Sequence, residues 1–353
     1  MSQNLIFSNQ PEAQLTRLLA DVPPHHQFVL VDENTAQQAW PLVAVAMPEA
    51  HLITIEAGDA HKTLSTLTHV WQQLEQFGAT RQSVLVNVGG GVVTDLGGMA
   101  AATFKRGMRF INVPTTLMGA VDAAIGGKTG INFNGLKNEL GVFAQAGDVL
   151  ISTLFFDTLP RQEFLSGYAE VVKHALLSDE NLLSQLIASE NLGGDTIHHD
   201  ALLLQLQASV AVKQRIVAAD PFEEGLRKVL NLGHTVGHAL ESFAHAKGEP
   251  LLHGHAVAWG LVAELVLSHM ALQFASTTLH RVAHFVSAHY PPFFFTCDDY
   301  PTLLALMQRD KKSRDGEINC TLLQAVGTPM VNQSITHQDM SAALDITRDF
   351  MGI

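Results

Sequence analysis

Three residues in the second half of the chain could together hold a metal ion: Glu170 in GYAEVVKHAL, His234 in NLGHTVGH and His253 in LLHGHAV. Two imidazoles and one carboxylate form a zinc donor set that leaves one side open for a substrate oxygen. Lys173, Lys213, Arg227 and Asn231, side chains suited to anions, are interleaved with them. Ahead of all of these stands NVGGGVVTDLGG, a glycine-rich turn that lets backbone N–H groups approach a diphosphate at a helix N-terminus. A metal, a nucleotide and several anion-binding groups point to redox chemistry on a small, acidic, phosphorylated molecule.

Each motif also has a plainer reading. The glycine turn departs from the common dinucleotide fingerprint, because Thr94 stands where the third glycine would fall after Gly89 and Gly91. Asp95 could simply cap the helix that follows, and the three glycines could be only a tight turn. GGKTG at 126–130 suggests a P-loop, but Asp122 occupies the position of the first required glycine, which excludes that ATPase motif. Lys128, and Lys137 with Asn138 in GLKNELG, are anion-binding candidates in glycine-framed loops; solvated loop residues would look the same. His234 and His238 fall on one helix face, yet Thr235 replaces the glutamate a zinc protease needs between them. Glu170 and Lys173, one turn apart, could be an ordinary ion pair. His255 follows His253 by two residues, so on a helix it points to another face and is expected not to be a ligand.

The elements that must position these groups change character along the chain. FVLV (28–31), LITI (52–55), SVLVNV (83–88) and RFINV (109–113) read as strands, with helical segments such as KTLSTLTHVWQQLEQFG between them. After Leu159 the period becomes 3.6, as in ENLLSQLIASE, ALLLQLQASVAVKQRIVAAD and HAVAWGLVAELVLSHMAL. The expected architecture is an α/β nucleotide-binding domain with a parallel-type sheet over 1–158 and an all-α metal- and substrate-binding domain over 159–353. The active site is expected in the cleft between them.

Bulk properties bound the rest. A chain of 353 residues, 47% hydrophobic and 16% charged, is globular and large enough for two cores. The net charge of −13 argues against nucleic-acid binding, and an anionic substrate would need a local basic cluster. Two cysteines, Cys297 and Cys320, fit a reducing cytoplasm. The start MSQNLIFSNQPEAQ lacks signal-peptide character, and the most apolar run, AVAWGLVAELVLSHM, is interrupted by Glu264, Ser268 and His269, so no membrane span is expected.

Long ordered segments then identify a family. The chain resembles 3-dehydroquinate synthase through GGGVVTDLGGMAAATFKRGMRFINVPTTLMGAVDAAIGGKTGIN, KNELGVF, TLPRQEFLSGYAEVVKH, VKQRIVAADPFEEGLRKVLNLGHTVGHALE, LHGHAVAWG and DKK. The resemblance implies an NAD- and zinc- or cobalt-dependent lyase that converts 3-deoxy-D-arabino-heptulosonate 7-phosphate to 3-dehydroquinate and phosphate. The route it implies is transient oxidation, phosphate elimination, re-reduction and aldol closure. Carried over by motif, Glu170, His234 and His253 are the metal ligands. Asp122 and Lys173 lie near the metal and the substrate hydroxyls, and Lys213 and Arg227 hold the carboxylate. Lys128, Asn138, Asn231 and His238 contact substrate, mainly around its phosphate. Arg106 reaches across a homodimer interface, and Lys311 or Lys312 supplies a late active-site lysine. Asp32, Asp59, Lys62, Gly90, Gly91, Asp95, Thr115, Thr116, Lys137 and Thr158 fall on nucleotide positions. The chain departs from the family at His255, usually a glutamate, and at Asp59, one methylene shorter than the usual glutamate. A polyol dehydrogenase of similar architecture would have no use for the cationic groups. A cyclase of neutral sugar 7-phosphates would need no carboxylate clamp, and a non-enzymatic binding protein would not need three ligands beside a redox nucleotide.

Overall fold

The computed structural model describes residues 3–134, 136–194, 196–308 and 317–353. Strands β1 (Asn4–Phe7), β2 (Gln27–Asp32), β3 (His51–Ile55), β4 (Val84–Gly89), β5 (Arg109–Pro114) and β8 (Asp148–Ile151) form one parallel sheet in the order β1-β8-β5-β4-β2-β3. β6 (Lys128–Phe133) and β7 (Leu136–Phe143) form a separate antiparallel hairpin. The buried runs FVLV and VLVNVG carry no polar alternation because both faces of a parallel sheet are covered. β1, β8 and the β6–β7 hairpin were not foreseen. β1 and β8 are only four residues each, too short to show a period.

Parallel register sets the first half of the site. Gly89 at the end of β4 pairs with Pro114 at the end of β5, which brings the glycine turn beside Thr115 and Thr116. That is the carboxyl edge of the sheet, where open α/β sheets bind ligands. The helix Gly91–Thr103 then packs back over β4. A Cβ on Gly97 would lie 2.0 Å from Asn87 Oδ1, and one on Gly98 would lie 2.5 Å from Thr129 Cγ2. These two glycines therefore serve helix packing, not phosphate approach.

The chain divides into two compact units, one of Met1–Phe164 with Thr196–Val210, the other of Leu165–Asp195 with Ala211–Ile353. The second unit is mainly helical. Its principal helices are His234–Ala246, His253–Leu272, Ser276–His289, Tyr300–Gln308 and His337–Met351, with most of Arg161–Leu176. One correction applies to the all-α expectation: β9 (Ile318–Ala325) and β10 (Thr328–Ile335) form an antiparallel hairpin there. INCTLLQA is an apolar run whose buried stretch hides the two-residue period, so periodicity could not separate strand from helix. Gly327, with φ of 78°, makes the turn between them.

His253–Leu272 is the single helix, among the described residues, long and apolar enough to cross a membrane, and it is largely buried. Its core position follows from glycine contacts. A Cβ on Gly254 would fall 1.8 Å from Ser166 O, and one on Gly260 would fall 2.0 Å from Gly233 O. Backbone thus meets backbone where this helix crosses its neighbours.

Candidate active site

Glu170 and Lys173 lie one turn apart on the helix Arg161–Leu176 and are both buried. The Lys173 ammonium is in direct contact with Glu170 Oε2, and His234 Nε2 stands 3.4 Å from Oε1. Neither oxygen completes a hydrogen bond of normal geometry. Burial alone would push this carboxyl up, yet Lys173, His234 and His253 together hold it well below the usual carboxylate range.

His234 begins the helix His234–Ala246, and His238 follows one turn later on the same face. His253 begins the next helix. Ligand-capable atoms of His234, His238 and His253 all lie within 4.8 Å of one another. The imidazoles are oriented from behind. Leu232 O stands 3.1 Å from His234 Nδ1, and Glu241 Oε2 stands 2.9 Å from His253 Nδ1. Placing a proton on each Nδ1 leaves each Nε2 with a lone pair, the arrangement usual for metal-ligating histidines. Burial, and then the Lys173 charge, push the His234 imidazole down to about 3, so it is neutral at ordinary pH. A buried carboxylate, beside the neutral His234 imidazole and a His253 ring held at Nδ1 by Glu241, fits a divalent metal.

His255 faces elsewhere, as expected for an i+2 residue. It is buried edge-on against the Tyr290 ring, with centroids 5.4 Å apart. Lys213 and Arg227 are both buried in the second unit. Arg227 Nη1 donates to Pro221 O at 2.6 Å. Its backbone N–H donates to Asp220 Oδ2 at 2.9 Å, which also accepts from Gly225 N–H. These backbone donors, Arg227 first, hold the Asp220 carboxyl below its ordinary value. Asn231 donates to Glu223 Oε1 at 3.2 Å.

In the first unit, Lys62 is buried and reaches both Asp95 Oδ2 and Asn138 Oδ1 at 2.5 Å. Asp95 therefore does not cap its helix; the N-cap is Gly90, which has no side chain to cap with. The helix start stays available to an anion, and a Cβ on Gly90 would sit 2.9 Å from Thr116 Cγ2, closing that approach. Asn132 links the group. Its amide nitrogen donates to Asp59 O and Oδ2, and its oxygen accepts from Asn138 N–H. Lys137 lies 3.8 Å from the same Asp59 carboxylate. Asn138, expected beside substrate phosphate, here joins the cluster of nucleotide candidates.

Other expected residues are more scattered. Asp32 caps the helix Glu33–Gln38 through Thr35 N–H at 2.8 Å. Asp122 sits in the short π-helix Gly119–Ala123, Lys128 is exposed at the start of β6, and Thr158 is exposed at the end of Thr153–Thr158. Arg106 is exposed with φ of 66° between Lys105 at 47° and Gly107 at 112°, an unusual run of left-handed backbone. Lys311 and Lys312 lie outside the described residues. Asn132, Asp220, Glu241 and Glu264 were not foreseen as parts of the site. The available signal was Glu264, a lone charge in an otherwise apolar buried helix.

The fold and these groups define a class, the enzymes that pair a nucleotide-binding α/β unit with a helical metal-binding unit. Comparison with known proteins narrows it. Residues 52–166 match the family model for the N-terminal part of 3-dehydroquinate synthase, and residues 167–313 match the model for its C-terminal part. A 3-dehydroquinate synthase of Parabacteroides distasonis is 47% identical over 354 residues, covering 99% of each chain. One of Pyrococcus abyssi is 38% identical, over 90% of this chain and 91% of that one. Among solved structures, 2-epi-5-epi-valiolone synthase of Streptomyces hygroscopicus, with NAD+ and Zn2+ bound, superposes with a TM-score of 0.83. It is 26% identical, over 99% of this chain and 97% of that one. The chain belongs to the 3-dehydroquinate synthase family and carries out its lyase reaction, closing 3-deoxy-D-arabino-heptulosonate 7-phosphate to 3-dehydroquinate with loss of phosphate.

Proposed function

We propose that Glu170, His234 and His253 hold one zinc or cobalt ion and that the glycine turn, with Asp59, Lys62, Asp95, Thr115, Thr116 and Lys137, holds NAD. Bound together, metal and nucleotide supply Lewis acidity and a reversible hydride acceptor for one substrate alcohol. The observation that carries the metal assignment is the pair of Nδ1 contacts that leaves the His234 and His253 Nε2 atoms as acceptors.

The remaining roles fall to the chain's own side chains. Arg227, anchored by Pro221 O, offers a planar fork for the substrate carboxylate, with Lys213 as a second charge. Asn231 and His238 bind the phosphate. Lys173, held by Glu170, and Asp122 orient the hydroxyls and pass protons at the oxidised carbon. The departing phosphate takes the adjacent carbon's proton, so no dedicated carboxylate base is required. Arg106, exposed in this chain, matches by motif the family arginine that serves the partner's site in a homodimer. Neither cysteine is in a disulfide, which supports the cytoplasm as the compartment. The deciding assay is phosphate release from the heptulosonate phosphate without net NADH. Accumulation of NADH in step with turnover would favour a polyol dehydrogenase instead.

A further inference from the structure

The helix that presents His234 starts without a cap of its own. Gly233 is its N-cap, with φ of 80° and no side-chain oxygen. First-turn N–H groups have no acceptor within their helix, and leaving them unpaired in a buried region is costly. The acceptor comes from Glu264, halfway along the helix that His253 begins and fully buried. Glu264 Oε2 accepts from Gly233 N–H at 2.7 Å. Its Oε1 accepts from Thr235 N–H at 3.0 Å and from Val236 N–H at 3.3 Å. A carboxylate at this end of a helix is also favoured by the helix dipole.

The Gly233 N–H belongs to the same rigid peptide plane as the Leu232 carbonyl. That carbonyl is the group standing 3.1 Å from His234 Nδ1. Glu264 thus grips the peptide that orients the imidazole, and it grips the two residues that follow it. We infer that Glu264 is a positioning residue of the metal centre. Acting through the 232–233 peptide, it sets the tautomer and direction of His234 and ties that ligand to the helix of His253, without touching the metal. Two further contacts keep the lever stiff: Gly260 against Gly233 O, and Ser268 Oγ donating to Glu264 O at 2.6 Å. The inference rests on the metal centre proposed above.

Glu264→Gln tests it, because an amide cannot accept on both sides and turns a donor toward one set of N–H groups. Zinc affinity is read by chelator competition, and coordination geometry by the visible spectrum of the cobalt-loaded protein. Val282→Ala, a buried truncation in the helix Ser276–His289, is the control for lost stability. Glu264→Gln is expected to weaken zinc about 10- to 100-fold, the range for partners behind a ligand, and to change the cobalt spectrum. Val282→Ala is expected to lower the melting temperature while leaving both unchanged. Should Glu264→Gln not accumulate as folded protein, Glu264→Asp, which keeps the charge but retracts it, reads the same two quantities. Wild-type zinc affinity and an unaltered cobalt spectrum in the Glu264 variant overturn the inference, as does zinc loss in Val282→Ala in proportion to its melting temperature. A wild-type protein that binds neither ion overturns the metal centre itself and the inference with it.

Discussion

His234 is held at three points: Glu170 before its Nε2, Leu232 O behind its Nδ1, and a helix start gripped by Glu264. A side chain so constrained contributes affinity that a freely rotating imidazole would not. His234→Ala is therefore expected to lose zinc and turnover together, since two remaining protein donors hold zinc poorly. Metal analysis of the purified variant checks this, and near-stoichiometric zinc would contradict it. His255 makes the opposite case. Packed edge-on against Tyr290 and aimed away from the other imidazoles by its position on the helix, it should tolerate removal. His255→Ala is expected to retain about one zinc per chain, with loss of stability comparable to other buried truncations, about 2–4 kcal/mol. A zinc-free His255 variant would make it a ligand after all. Ligand candidates were legible from residue type and motif. Their orienting partners were not, because Glu241 and Glu264 reach the site through helix packing that no local spacing encodes.

At the scale of elements, one loop decides how the Arg227 side chain is presented. Asp220 ties the segment 220–227 into a turn by accepting from Glu224, Gly225 and Arg227 N–H, and so fixes the backbone from which Arg227 projects. Its carboxyl is depressed by those donors. A depressed acid contributes fully above its unfolded value, near 3.9, and that contribution fades only as pH falls through the lower folded value. Asp220 should therefore leave no inflection in KM between neutral pH and pH 5. Asp220→Asn is expected to raise KM about 10-fold, the scale of losing charge-assisted bonds that position a binding group, with zinc content unchanged; loss of zinc would place the loop's role elsewhere. The β9–β10 hairpin braces the second unit through Thr235 Oγ1 donating to Asn319 O and Leu323 N–H donating to Ser268 Oγ. Strands such as VLVNVG, fully buried, and helices such as His253–Leu272 were readable because their apolar runs are long. The hairpins were not, since their pairing depends on partners and on single turn residues such as Gly327.

For the whole molecule, the test is which small molecule the charge distribution selects. The chain carries a net charge of −13, so an anionic substrate is drawn in only by groups gathered locally. Arg227 and Lys213 are both buried in the second unit, where their charges act on a bound anion through little intervening water. On the proposal that these two cations meet the substrate carboxylate, a substrate without it forgoes a charge-assisted contact of roughly 2–5 kcal/mol. The low end of that range corresponds to about 30-fold in kcat/KM. The heptulosonate phosphate is therefore expected to exceed sedoheptulose 7-phosphate by at least about that factor. Arg227→Lys should erode most of the preference, because a point charge does not replace a two-pronged donor. The loss should fall on the acid alone, with turnover of the neutral sugar phosphate little changed. Both measurements need only phosphate release, and substoichiometric NAD should sustain them through many turnovers because oxidation and reduction cancel. Equal turnover of the two substrates by the unaltered protein would overturn the assignment of Arg227 and Lys213 to a substrate carboxylate.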